Sequence, residues 1–285
     1  MAPASTVPTI EPIAPCIGAL VRGVDLHGPL QPATVAAIKA AFLAHKVLVF
    51  PDQHDVSAAD QKRFGAHFGE FARHPFRPAI DGHPELLSIA KEADEAQNVG
   101  GGWHTDMTFL AAPPLGSLLY AVQLPPPGLG DTLFADVEAA YSALTPGLRE
   151  VLDRLSAVHS AQRVHGPDAV QGESGFRRRA AQQALASDMM CHPVVRTHPE
   201  TGRRGLFVNP LFTVRFAGWS DEESRPLLEF LFAHIAQPRF VLRVRWQVGT
   251  LTLWDNRCTQ HNAMNDYHGH RREMRRLMIT GDNVF

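Results

Sequence analysis

Two histidines and one carboxylate are spaced as metal donors. His104 and Asp106 sit in the run Trp103-His104-Thr105-Asp106, and His261 follows far downstream in Trp254-Asp255-Asn256-Arg257-Cys258-Thr259-Gln260-His261. Two imidazoles and one carboxylate are the donor set of the facial triad, which holds non-haem Fe(II) and leaves open positions for substrate and O2. In an extended strand, residues i and i+2 point to the same side. The spacing therefore predicts that His104 and Asp106 grip one ion from a single strand, with the third donor supplied from elsewhere. The two-residue step alone is weakly specific. His83-Pro84-Glu85 and His198-Pro199-Glu200 repeat it, but each has a proline between the candidate donors. Proline argues against a ladder strand, so both read as turns.

A second group of residues follows the distal histidine. Residues 265–270 read as a turn and 271–280 as a strand. Arg272 and Arg276, four apart, then share one face, with Arg271, Glu273 and Arg275 on the other. For Arg271 and Arg275 a solvated basic strand is the expectation. For Arg272 and Arg276 the position just after a candidate metal donor suggests anion clamps, because a guanidinium is a planar fork matched to a carboxylate.

The elements that must position these groups are mostly strands. Segments 17–26, 47–50, 86–90, 103–110, 117–123, 131–135, 158–163, 192–197, 205–209, 240–246, 250–254 and 273–280 have strand character. Helices are expected at 32–46, with Val35, Ile38 and Phe42 on one face, and at 57–68 with Ser57 as N-cap. Two more are expected at 146–156, opened by Pro146 after Thr145, and at 221–236, where Pro226 threatens a break. Many strands with a few helices point to a mainly β fold, a sandwich or barrel decorated by helices. No repeat or linker is visible, so 1–285 reads as a single domain. Residues 1–15, rich in Pro, Ala and Thr, read as a loose arm. The polar stretch 166–188 reads either as a lid or as an ordinary surface excursion.

Composition narrows the class. The 285 residues are 45% hydrophobic, enough for a sizeable core. Net charge is 27 − 29 = −2, with no long like-charge run, which speaks against nucleic acid as a partner. No stretch has the length of a membrane span, and no secretory signal is visible at the start. Three scattered cysteines, Cys16, Cys191 and Cys258, suit reduced thiols in a cytoplasmic protein. The sequence leaves open whether subunits assemble into a homo-oligomer.

Taken in order, several runs carry a resemblance over nearly the whole chain. They are Gly23-Val24-Asp25-Leu26, Phe68-Gly69, Trp103-His104-Thr105-Asp106, Gly130-Asp131-Thr132, His192-Pro193-Val194-Val195, Val208-Asn209, Trp254-Asp255-Asn256-Arg257, Asp266-Tyr267 and Arg271-Arg272. With these the chain resembles the taurine dioxygenase and 2,4-dichlorophenoxyacetate dioxygenase family of Fe(II)/2-oxoglutarate oxygenases. The resemblance implies a double-stranded β-helix, or jelly roll, with helices outside. It implies that His104, Asp106 and His261 bind Fe(II), with 2-oxoglutarate and O2 as cosubstrates. Arg272 and Thr132 would hold the 2-oxoglutarate carboxylate. Arg276 would lie near the metal-bound end of the cosubstrate and contact the substrate anion, and His74 matches a position for the substrate's acidic head. The expected reaction is hydroxylation of a small anionic organic molecule: a sulfonate, an aryloxyalkanoate or an alkyl sulfate. A carboxylate at Asp106 occupies the place a halide would need, so hydroxylation is expected over halogenation.

Some positions depart from the taurine pattern. Arg77 stands where a tyrosine is usual, Gly100-Gly101-Gly102 precedes Trp103, and Asn262 follows the distal histidine. Arg77 reads either as a contact to a second anionic group or as a surface arginine. Phe76, Phe109 and Phe207 read as an apolar substrate wall or as plain core. Three rivals stay open: an amino-acid or natural-product hydroxylase of the same family, a metal enzyme on the same barrel without 2-oxoglutarate, and a non-catalytic sensor.

Overall fold

The computed structural model describes residues 8–165 and 189–284. The expected excursion at 166–188 lies outside them. The fold is mainly β, and its two facing sheets create the site.

The large sheet runs β1 (Thr9–Pro12), β2 (Ala19–Arg22), β3 (Val47–Phe50), β14 (Leu251–Asp255), β6 (Gly116–Gln123), β16 (Arg272–Ile279) and β4 (Phe71–Ala72), with β5 (Leu86–Lys91) also paired to β16. Period-2 alternation divides its side chains between two faces. Leu118, Tyr120, Leu251, Leu253, Leu277 and Ile279 pack outward, in one cluster with Ile38 and Phe42 of α1 (Pro32–His45) and Phe64 of α2 (Ala58–Gly65). Leu119, Ala121, Trp254, Met274 and Met278 point the other way and join Phe134, Leu242 and Val244 of the facing sheet. That sheet is β13 (Val241–Val244), β7 (Thr132–Asp136) and β15 (Thr259–Ala263), all antiparallel. A third sheet, β12 (Thr213–Phe216), β8 (Ser156–Ser160) and β9 (Met189–Pro193), and the hairpin β10 (Val195–Thr197)–β11 (Arg204–Leu206) complete the strands among the described residues.

Helix ends follow their capping chemistry. Ser57 and Asp60 form a capping box on α2, and Ser220 and Glu223 form another on the helix Asp221–Ile235. Pro226 does not break that helix. It is exposed, so the carbonyl deprived of its intrahelical partner lies on the solvent side, while Leu228, Leu231 and Ile235 anchor the opposite face. Among the described residues no helix is long and apolar enough to cross a membrane.

Three expectations are corrected. Residues 9–12 are not a loose arm: they form β1, paired antiparallel to β2. This edge strand is largely exposed and so shows no apolar alternation, and its position tolerates Pro12. Residues 103–110 are not a strand. His104 makes an isolated bridge to His261, and a turn follows in which Met107 has φ 49°. Arg275 is not on a solvated face. Its side chain turns to the helix side, where Nε donates to Gln61 Oε1 at 2.7 Å and the guanidinium lies 4.7 Å from the Tyr120 ring centroid.

Candidate metal centre and its cavity

Register explains how distant residues meet. On β15, His261 pairs with Phe134 of β7, and Ala263 pairs with Thr132, so all four side chains share the inner face. On β16, Arg272 and Arg276 face the same interior from the other sheet, opposite Lys91 of β5 and Leu119 of β6 respectively. One cavity between the sheets is lined by His104, His261, Thr132, Arg272 and Arg276, with Ile89, Val99, Gly100, Leu119, Trp254 and Ala263 as its apolar or small wall.

His104 reaches the site by backbone pairing. Its N–H donates to His261 O at 3.0 Å, and the His261 N–H donates to His104 O at 2.8 Å. Asp106 is aimed by Asn256: the Asp106 N–H donates to Asn256 Oδ1 at 2.8 Å, and Asn256 Nδ2 donates to Asp106 O at 3.1 Å. His104 Nε2 and His261 Nε2 then stand 3.6 and 3.7 Å from Asp106 Oδ1. His104 Nδ1 lies 2.9 Å from Gly102 O, a carbonyl that can only accept, so Nδ1 carries the hydrogen and Nε2 presents a lone pair. A lone pair facing a carboxylate oxygen across this gap calls for a cation between them. Donor types and convergence both fit a non-haem iron.

The electrostatics agree. Burial pushes the His104 imidazole below its ordinary value, against the pull of Asp106. Burial, followed by the neighbouring His104, pushes His261 well below it. Both are the neutral form that binds metal. Burial opposes ionisation of Asp106, but the Arg276 guanidinium outweighs it and holds the carboxyl well below the usual range. Arg276 donates through Nη2 to Asp106 Oδ2 and, at 3.0 Å, to Ser117 Oγ. Its Nε is buried without a partner.

The far end of the cavity is a cationic receptor. Arg272 is 4% exposed, yet its Nε and Nη2 have no hydrogen-bond partner and no carboxylate pairs with it among the described residues. A buried guanidinium left this way is costly unless an anion arrives. Gly130 makes room for it, since a Cβ there would sit 3.0 Å from Arg272 Cδ and 3.2 Å from Nε. Gly130 also has φ +68°, and its N–H is held by Asp266 Oδ1 at 2.7 Å. Thr132 adds a hydroxyl to the same cavity.

The sequence-predicted substrate residues are more dispersed. His74 and Arg77 are half-buried and do not line this cavity. A row of rings connects His74 to the metal donors: His74–Phe76 at 6.1 Å, Phe76–Phe109 at 5.8 Å, Phe109–Phe212 at 5.1 Å and Phe212–His104 at 6.2 Å. Phe207 stands outside this row and packs on His159, His192 and Arg196. The three glycines and Asn262 form one device: Asn262 Oδ1 accepts from the Gly102 N–H at 2.8 Å, and Gly100 takes φ +79° beside His104. The sequence reading assigned no role to Asn256, Ser117, Gly130 or Trp246. Gly130 and Asn256 lie inside runs it had singled out, and a buried amide at the end of an apolar strand was the available signal.

A second trio, His198, Asp255 and Cys258, also has donor atoms within ion-binding reach of one another. Its chemistry differs. His198 Nδ1 accepts from the Glu200 and Thr201 N–H groups at 3.2 Å, so Nε2 carries the hydrogen and donates to Asp255 Oδ2 at 3.0 Å. Arg257 donates to both carboxylate oxygens, at 2.9 and 2.7 Å, and to Glu200 at 2.6 Å. Burial pushes the Cys258 thiol well up. This is a saturated ion cluster.

Fold and site together define a mainly β protein with a two-histidine, one-carboxylate centre beside an anion receptor. The family model described as taurine catabolism dioxygenase TauD, TfdA family matches residues 9–278, and the chain belongs to that family. It is 37% identical over 276 residues to an alpha-ketoglutarate-dependent sulfate ester dioxygenase of Pseudomonas putida, covering 96% of this chain and 89% of the relative. It is 35% identical over 267 residues to an alkylsulfatase of Acinetobacter baylyi, covering 93% and 83%. The crystal structure of a taurine dioxygenase from Burkholderia xenovorans superposes with a TM-score of 0.81 at 34% identity, covering 98% of this chain and 91% of that one. The protein is thus an oxidoreductase of the α-ketoglutarate (2-oxoglutarate)-dependent dioxygenases, a class that uses Fe(II), 2-oxoglutarate and O2.

Proposed function

We propose that this dioxygenase hydroxylates a small organic anion with an apolar body, an alkyl sulfate ester foremost, with sulfonates and aryloxyalkanoates as the neighbouring substrate classes. The observation that carries the reading is an inter-sheet cavity lined by His104 and His261, which converge with Asp106, and by Arg272, whose buried Nε and Nη2 have no hydrogen-bond partner. The facing sheets read as a double-stranded β-helix. The similarity to a sulfate ester dioxygenase and an alkylsulfatase supports the choice of ester.

In this reading His104, Asp106 and His261 hold Fe(II). Bound there, iron and cosubstrate supply the oxidation: O2 and 2-oxoglutarate are consumed, succinate and CO2 leave, and one substrate C–H becomes C–OH. Arg272 and Thr132 take the distal carboxylate of 2-oxoglutarate, a charge-assisted contact. Arg276 orients Asp106 and keeps its buried Nε for an anion near the metal. His74 and Arg77 receive the anionic head of the substrate, and the Phe76–Phe109–Phe212 row shields its apolar body. If the hydroxylated carbon bears the ester oxygen, the product collapses to an aldehyde and sulfate.

The test is anaerobic titration of the Fe(II) protein with 2-oxoglutarate, followed by its charge-transfer absorbance, and then aerobic turnover with octyl sulfate, an alkyl sulfonate and an aryloxyacetate. The expected result is an absorbance band and sulfate release matched one-to-one by succinate. No band with metal bound, or no substrate-coupled succinate from any of the three, overturns the reading.

A further inference from the structure

The cosubstrate receptor rests on one residue outside the runs that carry the family resemblance. Thr132 is buried, and its Oγ1 accepts the Trp246 indole N–H at 3.0 Å. An indole N–H can only donate, whereas a hydroxyl has one hydrogen to give and lone pairs to receive. The direction of this bond is therefore fixed. Trp246 occupies a lone pair of Thr132 and leaves the hydroxyl hydrogen to be donated elsewhere. Among the described residues Thr132 makes no donor bond, and its side chain lines the cavity.

The same indole serves the arginine. The Arg272 guanidinium carbon lies 5.9 Å from the centroid of the Trp246 ring and 6.0 Å from that of Tyr267, within cation–π range of both. Trp246 thus presents its edge to Thr132 and its face to Arg272. Register makes this arrangement durable: Thr132 pairs with Val244 on β13, and Trp246 follows two residues on, beyond the strand end.

We propose that Trp246 is a positioning residue for the cosubstrate, fixing Thr132 as a hydrogen-bond donor into the cavity while its ring seats Arg272. The receptor then offers donors only, which selects a ligand end that is all acceptor, a carboxylate. The proposal rests on the reading that this cavity takes 2-oxoglutarate.

The test is a double-mutant cycle. The 2-oxoglutarate dissociation constant is measured by calorimetry on Mn(II)-loaded protein for wild type, Trp246→Phe, Thr132→Val and the double variant. Phenylalanine keeps a ring for Arg272 and removes only the N–H. Each single change should weaken binding roughly three- to tenfold, the scale of one hydrogen bond. In the Thr132→Val background, Trp246→Phe should add little. In turnover, KM for 2-oxoglutarate should rise while KM for the organic substrate stays put. Unchanged binding by Trp246→Phe, or factors that multiply in the double variant, overturns the proposal. Failure of wild type to bind 2-oxoglutarate would instead overturn the reading beneath it.

A second measurement reads the indole N–H directly. The chain has four tryptophans. In [15N]tryptophan-labelled, Zn(II)-loaded protein, the indole N–H resonance that is lost in Trp246→Phe should shift with 2-oxoglutarate, and Thr132→Val should move that same resonance. If Thr132→Val moves a different one or none, the proposed contact is refuted.

Discussion

The molecule holds two buried trios that look alike in composition and differ in what they leave unmet. At His104 and Asp106 the outward atoms are held by hydrogen bonds, and the inward atoms of these two and of His261 converge without bonding one another. At His198, Asp255 and Cys258, His198 donates to the Asp255 carboxylate, the Cys258 thiol turns to the Asp255 backbone carbonyl, and Arg257 closes both oxygens of Asp255. The tautomers tell the two apart. Gly102 O fixes the hydrogen on Nδ1 of His104, while two backbone N–H groups fix it on Nε2 of His198. A metal centre is recognised here by its residual lone pairs, and a structural cluster by its saturation.

The sharpest way to break this comparison is to delete one member of each trio. His261→Ala should reduce succinate formation to background with the fold intact by circular dichroism; wild-type turnover in that variant would refute the triad. Arg257→Met should leave metal stoichiometry unchanged but cost about 3–5 kcal/mol in urea unfolding, because Asp255 is left buried without its main partner. A smaller loss, or loss of metal, would blur the distinction.

Arg272→Ala addresses the buried cation that has no carboxylate partner among the described residues. It should raise the 2-oxoglutarate requirement roughly 10- to 100-fold, the scale of a lost charged hydrogen bond. The same change should cost little folding stability, since no carboxylate partner is stranded. A normal requirement would remove Arg272 from the receptor.

The smallest effect concerns a buried histidine outside both trios. Burial, with a lesser push from His192, lowers His159 to about 3. The unfolded chain protonates this group near pH 6.5, and the folded chain resists until about 3, so the stability is full above pH 6.5 and is lost as pH falls. About 1.2 kcal/mol should go between pH 7 and 5.5. His159→Phe should flatten that slope in denaturant titrations; an unchanged slope would assign the acid sensitivity elsewhere.

Much of this site was legible because it obeys period 2. Arg272 and Arg276 lie on a strand flanked on both sides, so alternation alone assigned them to one face. The same rule misread His104 and Asp106. Beyond His104 the backbone finds no ladder, and the turn through Met107 is held by Asn256, a contact 150 positions away with no local signal. Strand β1 was missed for the opposite reason: its exposed residues show no pattern to read. Trp246 resembles any core tryptophan at the end of a strand, and only the direction of its N–H gives it a role.

The reciprocal backbone pair between His104 and His261 joins segments separated by more than half the chain. Closing a loop of that length has an entropic cost that grows with its length. Sheet pairing meets that cost during folding, before any ion arrives. Metal affinity is therefore not reduced by the need to draw two chain segments together, and the ion meets a preorganised claw whose looseness is limited to side-chain torsions.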